Sequence, residues 1–383
     1  MGSEQGPRTA VVTFVGACQA ERRVAGVAAC ARIVREAAQA GFAETWLVVP
    51  DGDSLNDAAM EDVRRLAAPM TVEIVDGERA MALEDRNDGG LVSLPGDRLI
   101  PAERLAAALA RDGDWGGPGS IRLDDPGASA EILRRTAKAS DGPVSRRLNR
   151  PVSQRISALL VRVPGIRPGH ATAGTAFLAV AMFAALVGGG AGGLVAGALL
   201  FQAASVFDGV DGEIARATFR SSRRGAVLDS AVDVATNLLL ILGLAVNLGS
   251  AGNPLSVALA AWGFALFVLG LTTIAWRAAR SDGSFSLDLV KHHYRSRFSG
   301  RLVPWLIGMA TIVSSRDFFA LLFASLILLG QPMAVLYIFA AAATVWIMFV
   351  IGSVRIAANS ILSSSPPAPA MASAAGSDFL KKA

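Results

Sequence analysis

Four aspartates lie close together in the segment 208–233, which reads DGVDGEIARATFRSSRRGAVLDSAVD. Asp208 and Asp211 are one helical turn apart and Asp229 and Asp233 are four positions apart, so each pair shares a face if its segment is helical. Adjacent carboxylates repel one another and are costly to remove from water, and a bound divalent cation compensates for both effects. Two such ions can bind a pyrophosphate and stabilise the attacking and leaving oxygens of a phosphoryl transfer. The spacing therefore predicts a two-metal site for Mg²⁺ or Mn²⁺, which prefer oxygen ligands.

Small residues and one arginine separate the two aspartate pairs: Gly212, Ala215, Arg216 and Gly225. The small residues leave room for a base or ribose against the helices, although in membrane helices they also allow close packing. The guanidinium of Arg216 presents a fork of donors to phosphate oxygens, although a juxtamembrane arginine can also contact lipid headgroups. Two alternatives use the same aspartates. One is structural ion pairing with Arg216, Arg220, Arg223 or Arg224, and the other is the ion site of a membrane transporter.

The aspartates are found at the ends of long apolar segments. Apolar stretches occur near 173–191, 193–207, 226–249, 255–276, 303–330 and 333–354. Several of them reach the roughly 18–20 residues that are needed to cross a bilayer. The pattern predicts six membrane spans, with the two aspartate pairs at the same membrane depth because one loop joins their spans.

The charges on the connections predict the orientation of these spans. No charged residue occurs in 188–193, 247–255 or 330–332, whereas the alternate connections are rich in arginine. Cationic loops remain on the cytoplasmic side of a membrane. We therefore expect a multi-pass protein of the inner membrane whose two termini and aspartate site are cytoplasmic. The net charge of +4 favours contact with anionic lipids, and no nucleic-acid partner is expected.

The fifth apolar stretch, 303–330, is interrupted by Arg316 and Asp317. Either it forms one long tilted helix whose charged middle faces the protein, or an interfacial segment precedes a short span. A charged residue inside the membrane is a candidate functional residue. Arg297, Arg301 and Arg316 are therefore candidates for binding the second substrate, which must reach the aspartates from the cytoplasm.

Alternating strand-like and helical segments occupy the first third of the chain. Strands are predicted at 9–16, 45–49, 71–76 and 91–94, and helices at 26–40, 56–67 and 101–111. This alternation is typical of an open α/β sheet. We predict two domains, an N-terminal α/β Rossmann-like domain and a C-terminal all-α six-helix transmembrane bundle.

An Arg-rich amphipathic segment, 145–163, precedes the first span, and its apolar positions lie near one helical face. Such a helix can lie in the headgroup plane, although an ordinary linker helix would have the same pattern. The predicted bounds are 1–125 for the cytoplasmic α/β domain, 126–168 for the linker and interfacial helix, 169–360 for the membrane bundle and 361–383 for a disordered tail.

The segment 208–233 resembles the signature of CDP-alcohol phosphotransferases, D-x2-D-G-x2-A-R-x8-G-x3-D-x3-D. All eight defining positions match: Asp208, Asp211, Gly212, Ala215, Arg216, Gly225, Asp229 and Asp233. The resemblance extends over about 138–358. It implies six membrane helices, two divalent cations, a homodimer, and an acceptor hydroxyl that displaces CMP from a CDP-linked donor.

The resemblance also implies roles for the signature residues. Asp208, Asp211 and Asp229 would be metal ligands, and Asp233 would bind the second metal and act as general base on the acceptor hydroxyl. The CDP moiety would be bound by Gly212, Ala215, Arg216 and Gly225. One departure is visible, because the Pro-Asn-x-x-Thr that often precedes the first span is here the segment 168–172, PGHAT.

The run 138–153 is similar to the lead-in of family members fused to inositol-phosphate cytidylyltransferases, and the N-terminal domain resembles a nucleotidyltransferase domain. Its phosphate loop, 16–23, lacks the paired glycines, and Asp97 has no clear acidic companion. We therefore expect a degenerate domain with a regulatory, scaffolding or partner-binding function. The resemblance favours a CDP-inositol-type or CDP-diacylglycerol donor with an inositol-phosphate or lipid acceptor. The alternative is a transporter with a regulatory N-terminal module.

Overall fold

The computed structural model describes residues 8–50, 54–84, 91–108, 119–138, 141–278 and 316–363. These ranges contain an α/β part at the N-terminal end and a helical part that follows it. Arg297, Arg301 and most of the predicted disordered tail lie outside the described residues.

A four-stranded parallel sheet forms the centre of the N-terminal part. Its strands are β1 (Thr9–Thr13), β4 (Glu44–Val48), β5 (Thr71–Val75) and β6 (Leu91–Pro95), in the order β5-β4-β1-β6. Two short antiparallel pairs accompany it, β2 (Arg23–Val24) with β3 (Val27–Ala28) and β7 (Arg98–Leu99) with β8 (Ile121–Arg122). The prediction of an α/β domain is confirmed.

Within the described ranges, the helices of the N-terminal part that follow or separate these strands are α1 (Ala17–Glu21), α2 (Ala29–Ala40), α3 (Asp57–Ala67), α4 (Gly77–Glu84), α5 (Ala102–Ala108) and α6 (Ala128–Arg135). Local signals explain their ends. The side chain of Asn56 caps α3 by accepting a hydrogen bond from the amide of Ala59, 2.9 Å away. Gly41 ends α2 in a left-handed conformation with φ of 91°, which glycine adopts without steric cost.

The helical part begins with a π-helical turn, Ser145–Asn149, and the helix α7 (Arg150–Leu160). Its remaining described helices are α8 (Pro168–Val187), α9 (Gly190–Ala217), α10 (Arg223–Ser250), α11 (Pro254–Ala278), α12 (Arg316–Leu328) and α13 (Pro332–Ser363). Within the described ranges, α8, α9, α10, Pro254–Ile274 of α11 and Pro332–Gly352 of α13 are long and apolar enough to cross a membrane.

The fifth predicted span is described only from Arg316 onward. The described part of α12 has 13 residues, which correspond to about 20 Å of helix. Residues 303–315 lie outside the described residues, so the two alternatives for this stretch stay predictions. The charged residues Arg316 and Asp317, which interrupt the predicted stretch 303–330, face the protein, as described below.

Close packing of α8, α9 and α10 sets the spacing of the helices that contain the aspartates. Leu186 of α8 lies against Gly197 of α9 and Gly243 of α10, where an added Cβ would approach its side chain to 2.4 and 2.7 Å. Gly174 accommodates the ring of Phe207 in the same way, with an approach of 2.5 Å. Because a larger residue at any of these positions would push the helices apart, the glycines hold the three backbones close together.

The helix α7 presents a polar stripe to the protein and apolar side chains outward. Ser145, Asn149, Ser153 and Ser157 are buried at four-residue intervals. Leu148, Val152 and Leu159, on the predicted apolar face, are exposed to 44%, 43% and 62%. This arrangement agrees with a helix whose apolar face contacts lipid.

One hydrophobic core joins the two parts of the chain. It includes the helices and strands of the sheet, Ile132 and Leu133 of α6, and the residues Val161, Ala171, Val210, Ile214 and Ala217 of the helical part. The predicted boundary after residue 125 therefore does not coincide with a break in the core. The α/β part is packed directly on the end of α9 that contains the predicted site.

Candidate active site

Three of the four predicted aspartates come together between α9 and α10. Asp208, Asp229 and Asp233 each offer one carboxylate oxygen, and these oxygens all lie within 4.8 Å of one another. Oxygens bound on opposite sides of one Mg²⁺ would be about 4 Å apart, because each ligand distance is about 2.0–2.1 Å. The three carboxylates are therefore close to the spacing of a common ligand set.

Asp211 lies beside this set but is oriented by a different helix. It is buried, and its Oδ2 accepts a hydrogen bond of 2.7 Å from the hydroxyl of Thr172 at the start of α8. Thr172 is the last residue of the segment 168–172, whose threonine matches the family pattern although its second residue does not. Such a partner fixes the direction in which a ligating carboxylate points.

Arg316 supplies the positive charge that faces the aspartates. Its guanidinium forms ion pairs with Asp208 and, at 2.5 Å, with Asp233. The structural alternative had assigned this pairing to Arg216, Arg220, Arg223 or Arg224, and for Asp208 and Asp233 the described partner is Arg316 instead. An arginine that interrupts a predicted apolar stretch is thus located at the candidate site.

The donor set fits a hard divalent cation. The candidate ligands are carboxylates only, which Mg²⁺ and Mn²⁺ prefer. Asp233 Oδ1 is buried and accepts no hydrogen bond within the described residues, although the charge of Arg316 is adjacent. Among the described residues the guanidinium of Arg316, 2.5 Å away, is the partner of this buried oxygen, and a bound metal ion would supply the same charge compensation.

Arg216 is held across the face of Gly212. Its Nε donates to the carbonyl of Thr136 at 2.7 Å, and a Cβ added to Gly212 would approach its Nη1 to 2.9 Å. Among the described residues, neither Nη group has a hydrogen-bond acceptor. Gly212 therefore gives the guanidinium its position, and the two Nη groups remain available for phosphate oxygens.

The other two predicted nucleotide-binding residues have simpler surroundings. The amide of Gly225 donates to the hydroxyl of Ser222, which caps α10, at 3.0 Å. Ala215 is partly buried on α9. A Cβ at Gly225 would approach Ser222 Oγ to 3.0 Å, so the cap already explains part of the need for glycine there.

A second charged cluster on α9 was missed from the sequence. Glu213 is fully buried and accepts hydrogen bonds from Arg150 at 2.8 Å, Ser153 at 2.7 Å and Ser157 at 2.6 Å. Arg150 is also paired with Asp141 through bonds of 2.8 and 3.0 Å. Burial opposes ionisation of Asp141, but the hydrogen bonds and charge of Arg150 outweigh it and lower the pKa of that carboxyl. The available signal was the four-residue spacing of the two serines.

Polar contacts hold Asp317, the neighbour of Arg316 in α12. Asn149 Nδ2 donates to Asp317 at 2.8 Å, and Asn149 Oδ1 accepts from Gln202 of α9 at 3.2 Å. Asp317 follows Arg316 directly in the chain. The π-helical turn before α7 thus helps to direct the guanidinium toward the aspartates.

Asp97 of the N-terminal part lies near Arg98, with 3.8 Å between its carboxylate and Nε. Across the described ranges, the only group of three or more metal-ligating side chains that lie close together is that of Asp208, Asp229 and Asp233. The expectation that the N-terminal domain is degenerate stays a prediction.

Comparison with known proteins identifies the helical part. Residues 167–354 match the family model described as CDP-alcohol phosphatidyltransferase. Among curated proteins, several named "Bifunctional IPC transferase and DIPP synthase" are similar. That of Rubrobacter xylanophilus is 36% identical over 202 residues, which cover 53% of this chain and 43% of the relative. That of Thermococcus kodakarensis is 33% identical over 166 residues (42% and 34%), and that of Aquifex aeolicus 36% over 148 residues (39% and 32%). The matches thus span less than half the length of each of these relatives.

Proposed function

We propose that this chain, whose residues 167–354 form a CDP-alcohol phosphatidyltransferase domain in a multi-pass membrane protein, transfers a phospho-alcohol or phosphatidyl group from a CDP-linked donor to an acceptor hydroxyl. The observation that carries the proposal is the meeting of Asp208, Asp229 and Asp233 from two signature helices within 4.8 Å. CMP is the second product.

The aspartates take the metal-binding part of the reaction. Asp208, Asp211, Asp229 and Asp233 would hold two divalent cations, Mg²⁺ or Mn²⁺, which when bound would neutralise the pyrophosphate and stabilise the entering and leaving oxygens. Thr172 orients Asp211, and the close packing of α8, α9 and α10 holds the two aspartate pairs opposite each other.

Asp233 is the general base in this scheme. Its carboxylate accepts the proton of the acceptor hydroxyl, while the hydroxyl oxygen bonds to the phosphorus that bears the donor alcohol. The bond from that phosphorus to the bridging oxygen breaks, and its electron pair leaves with CMP. The free Nη groups of Arg216 contact phosphate oxygens of the donor, and Gly212, Ala215 and Gly225 leave space for its nucleoside.

Arg316 binds the acceptor. Its guanidinium is already within the aspartate set, where it can turn from Asp233 to a phosphate on the incoming substrate. That movement would leave Asp233 Oδ1 free to accept a proton. Arg297 and Arg301 are proposed for the same function, and they lie outside the described residues.

The substrates are proposed from the resemblance and from the relatives. The curated relatives are named "Bifunctional IPC transferase and DIPP synthase", and the run 138–153 resembles the lead-in of enzymes that make phosphorylated di-inositol phosphate. Both favour a CDP-inositol-type donor with an inositol-phosphate acceptor. CDP-diacylglycerol with a polar or lipid acceptor is the second choice.

The surroundings of the enzyme are part of the proposal. We place the domain in the inner membrane with both termini and the site on the cytoplasmic side, because Arg220, Arg223 and Arg224 lie where α9 is joined to α10, next to the aspartates. The exposed apolar face of α7 and the exposed Arg155 contact lipid, and two copies form a homodimer. A transporter would use the carboxylates alone and would not need the arrangement of Gly212 and Arg216.

Release of CMP tests the function directly. The full-length protein in lipid nanodiscs would be supplied in parallel with CDP-inositol plus inositol phosphate and with CDP-diacylglycerol plus inositol phosphate, each with Mg²⁺. We expect CMP release with CDP-inositol that requires both the acceptor and the metal. If CMP were released with CDP-diacylglycerol but not with CDP-inositol, the donor would be reassigned. If CMP were released from neither donor under any metal condition, the proposed reaction would be contradicted.

A further inference from the structure

The loop between α9 and α10 is bound by arginines of the N-terminal part. Arg32 Nη2 donates to the carbonyl of Ala217 at 2.7 Å, and Arg65 Nη1 donates to that of Thr218 at 3.0 Å. A longer bond of 3.4 Å joins Arg65 to the carbonyl of Phe219. Carbonyls at the end of a helix have no partner within it, and cations are favoured there. The two arginines thus cap the helix that contains Asp208 and Asp211.

Phe219 of this loop is inserted beneath two guanidinium groups. Arg35 lies 4.0 Å and Arg32 5.3 Å from the centre of its ring. Its φ of 56° lies in the left-handed region, which bulky residues rarely adopt. Gly26 makes room for the loop on the other side, where an added Cβ would approach Thr218 to 3.1 Å. The N-terminal part therefore contacts both the backbone and the side chains at the start of this loop.

The arginines that bind the loop are themselves rigidly held. Arg32 is almost fully buried and also donates to the carbonyls of Val24 and Ala25, at 2.7 and 3.0 Å. Arg65 is paired with the buried carboxylate of Asp62 at 2.8 Å. That carboxylate in turn accepts from the amide of Ala28 at 3.3 Å. The donors thus have little freedom to follow the loop if it moves.

We propose that the N-terminal domain positions the two halves of the aspartate site through this loop, with Arg32, Arg35 and Arg65 as positioning residues. The loop joins the helix of Asp208 and Asp211 to the helix of Asp229 and Asp233. A change in its conformation rotates one pair of carboxylates relative to the other, because the helices transmit the movement as rigid bodies.

Arg216 is linked to the same contact. A cavity of about 280 Å³ at this junction is lined by Arg32, Arg216 and Phe219, together with Glu36 and Thr136. Displacement of the N-terminal part would therefore move the guanidinium that we assign to the donor phosphates as well as the loop. The part of this inference that concerns donor binding rests on the proposed function. The part that concerns metal binding does not, since metal binding by the aspartates can be measured without a donor.

Arg65→Ala in the full-length protein tests the proposal, with Arg64→Ala as the matched control. Arg64 is the exposed neighbour on the same helix, and its side chain has no hydrogen bond or ion pair with any of the described residues. We expect R65A to weaken Mn²⁺ binding, measured by electron paramagnetic resonance without donor, and to raise KM for the CDP-linked donor, each about tenfold. The value of kcat should fall less, because bound donor and metal restore the geometry. R64A should match the wild type, and R65K should recover part of the loss.

Phe219→Leu keeps apolar volume but removes the ring beneath the guanidiniums, and it is measured in parallel in case R65A does not fold. We expect about a threefold weakening of Mn²⁺ binding. A lower unfolding temperature with unchanged Mn²⁺ affinity and unchanged KM, in either variant, would reduce these contacts to ordinary structural ones and overturn the proposal. If the wild type released no CMP from any donor, the proposed function would fail while the Mn²⁺ measurement still decided the positioning.

Discussion

Two carboxylate–arginine clusters lie on different sides of helix α9, and they differ in how fully their polar atoms are paired. Glu213 is buried completely and accepts three hydrogen bonds from Arg150, Ser153 and Ser157. Asp208 and Asp233 are about one quarter exposed, and among the described residues both are paired with the same guanidinium, that of Arg316. The first cluster surrounds one buried carboxylate with three hydrogen-bond donors, whereas in the second one guanidinium is shared by two carboxylates. The comparison indicates that the number of donors for each carboxylate distinguishes the structural cluster from the candidate catalytic one.

The largest expected effect is that of Asp233→Asn. The amide keeps the size of the side chain but can neither accept the proton nor contribute a negative charge to a metal. We expect CMP formation to fall at least about a thousandfold, while folding and CDP binding persist. Steady-state kinetics, a thermal unfolding scan and CDP binding by calorimetry check this. An active D233N enzyme would refute the role of Asp233 and remove the contrast with Glu213.

Glu213→Ala tests the other side of the comparison. Removing one partner leaves Arg150 buried without a full set of acceptors, so we expect destabilisation by about 3–5 kcal/mol. Chemical unfolding of the detergent-solubilised protein, followed by tryptophan fluorescence, measures it. Activity per folded molecule should change far less than in D233N. If E213A had normal stability but no activity, Glu213 would have a catalytic role, and the structural assignment of its cluster would be wrong.

Arg316→Ala should have a smaller effect, in which metal binding becomes tighter and acceptor binding becomes weaker. Without the guanidinium, Asp208 and Asp233 lose a competing cation, and we expect Mn²⁺ to bind several times more tightly. The KM for a phosphorylated acceptor should rise about tenfold, because a charge-assisted contact to phosphate is lost. Metal titration by paramagnetic resonance and acceptor kinetics measure the two effects. An unchanged acceptor KM would contradict the acceptor assignment of Arg316.

Local patterns predicted the parts of this molecule that depend on local spacing. The strands and helices of the N-terminal part follow the alternation of apolar and helical segments, and the aspartates of 208–233 meet because two helices and one short loop bring them together. Arg316 was a candidate from its apolar surroundings, but its pairing with Asp208 and Asp233 joins residues far apart in the chain. A periodic sequence pattern does not indicate ion pairs between residues so far apart.

The contacts that escaped prediction involve backbone atoms or distant polar partners. Arg32 and Arg65 bind carbonyls of residues 217–219, and any residue type offers a carbonyl, so no sequence pattern marks the acceptor. Glu213 lay within the recognised signature at a position that the signature leaves open. Its partners Ser153 and Ser157 lie in the predicted amphipathic helix, and that prediction was based on the apolar positions of the helix. A polar stripe opposite an apolar face was the signal available.

The continuous core that Val161, Ala171, Val210, Ile214 and Ala217 share with the α/β part has a consequence for cooperativity. Two parts that bury a common apolar surface do not melt independently, since losing one exposes that surface on the other. Heating should therefore produce one calorimetric transition for the α/β part and the adjoining ends of α8 and α9. The boundary between water and lipid is thus not a boundary between folding units.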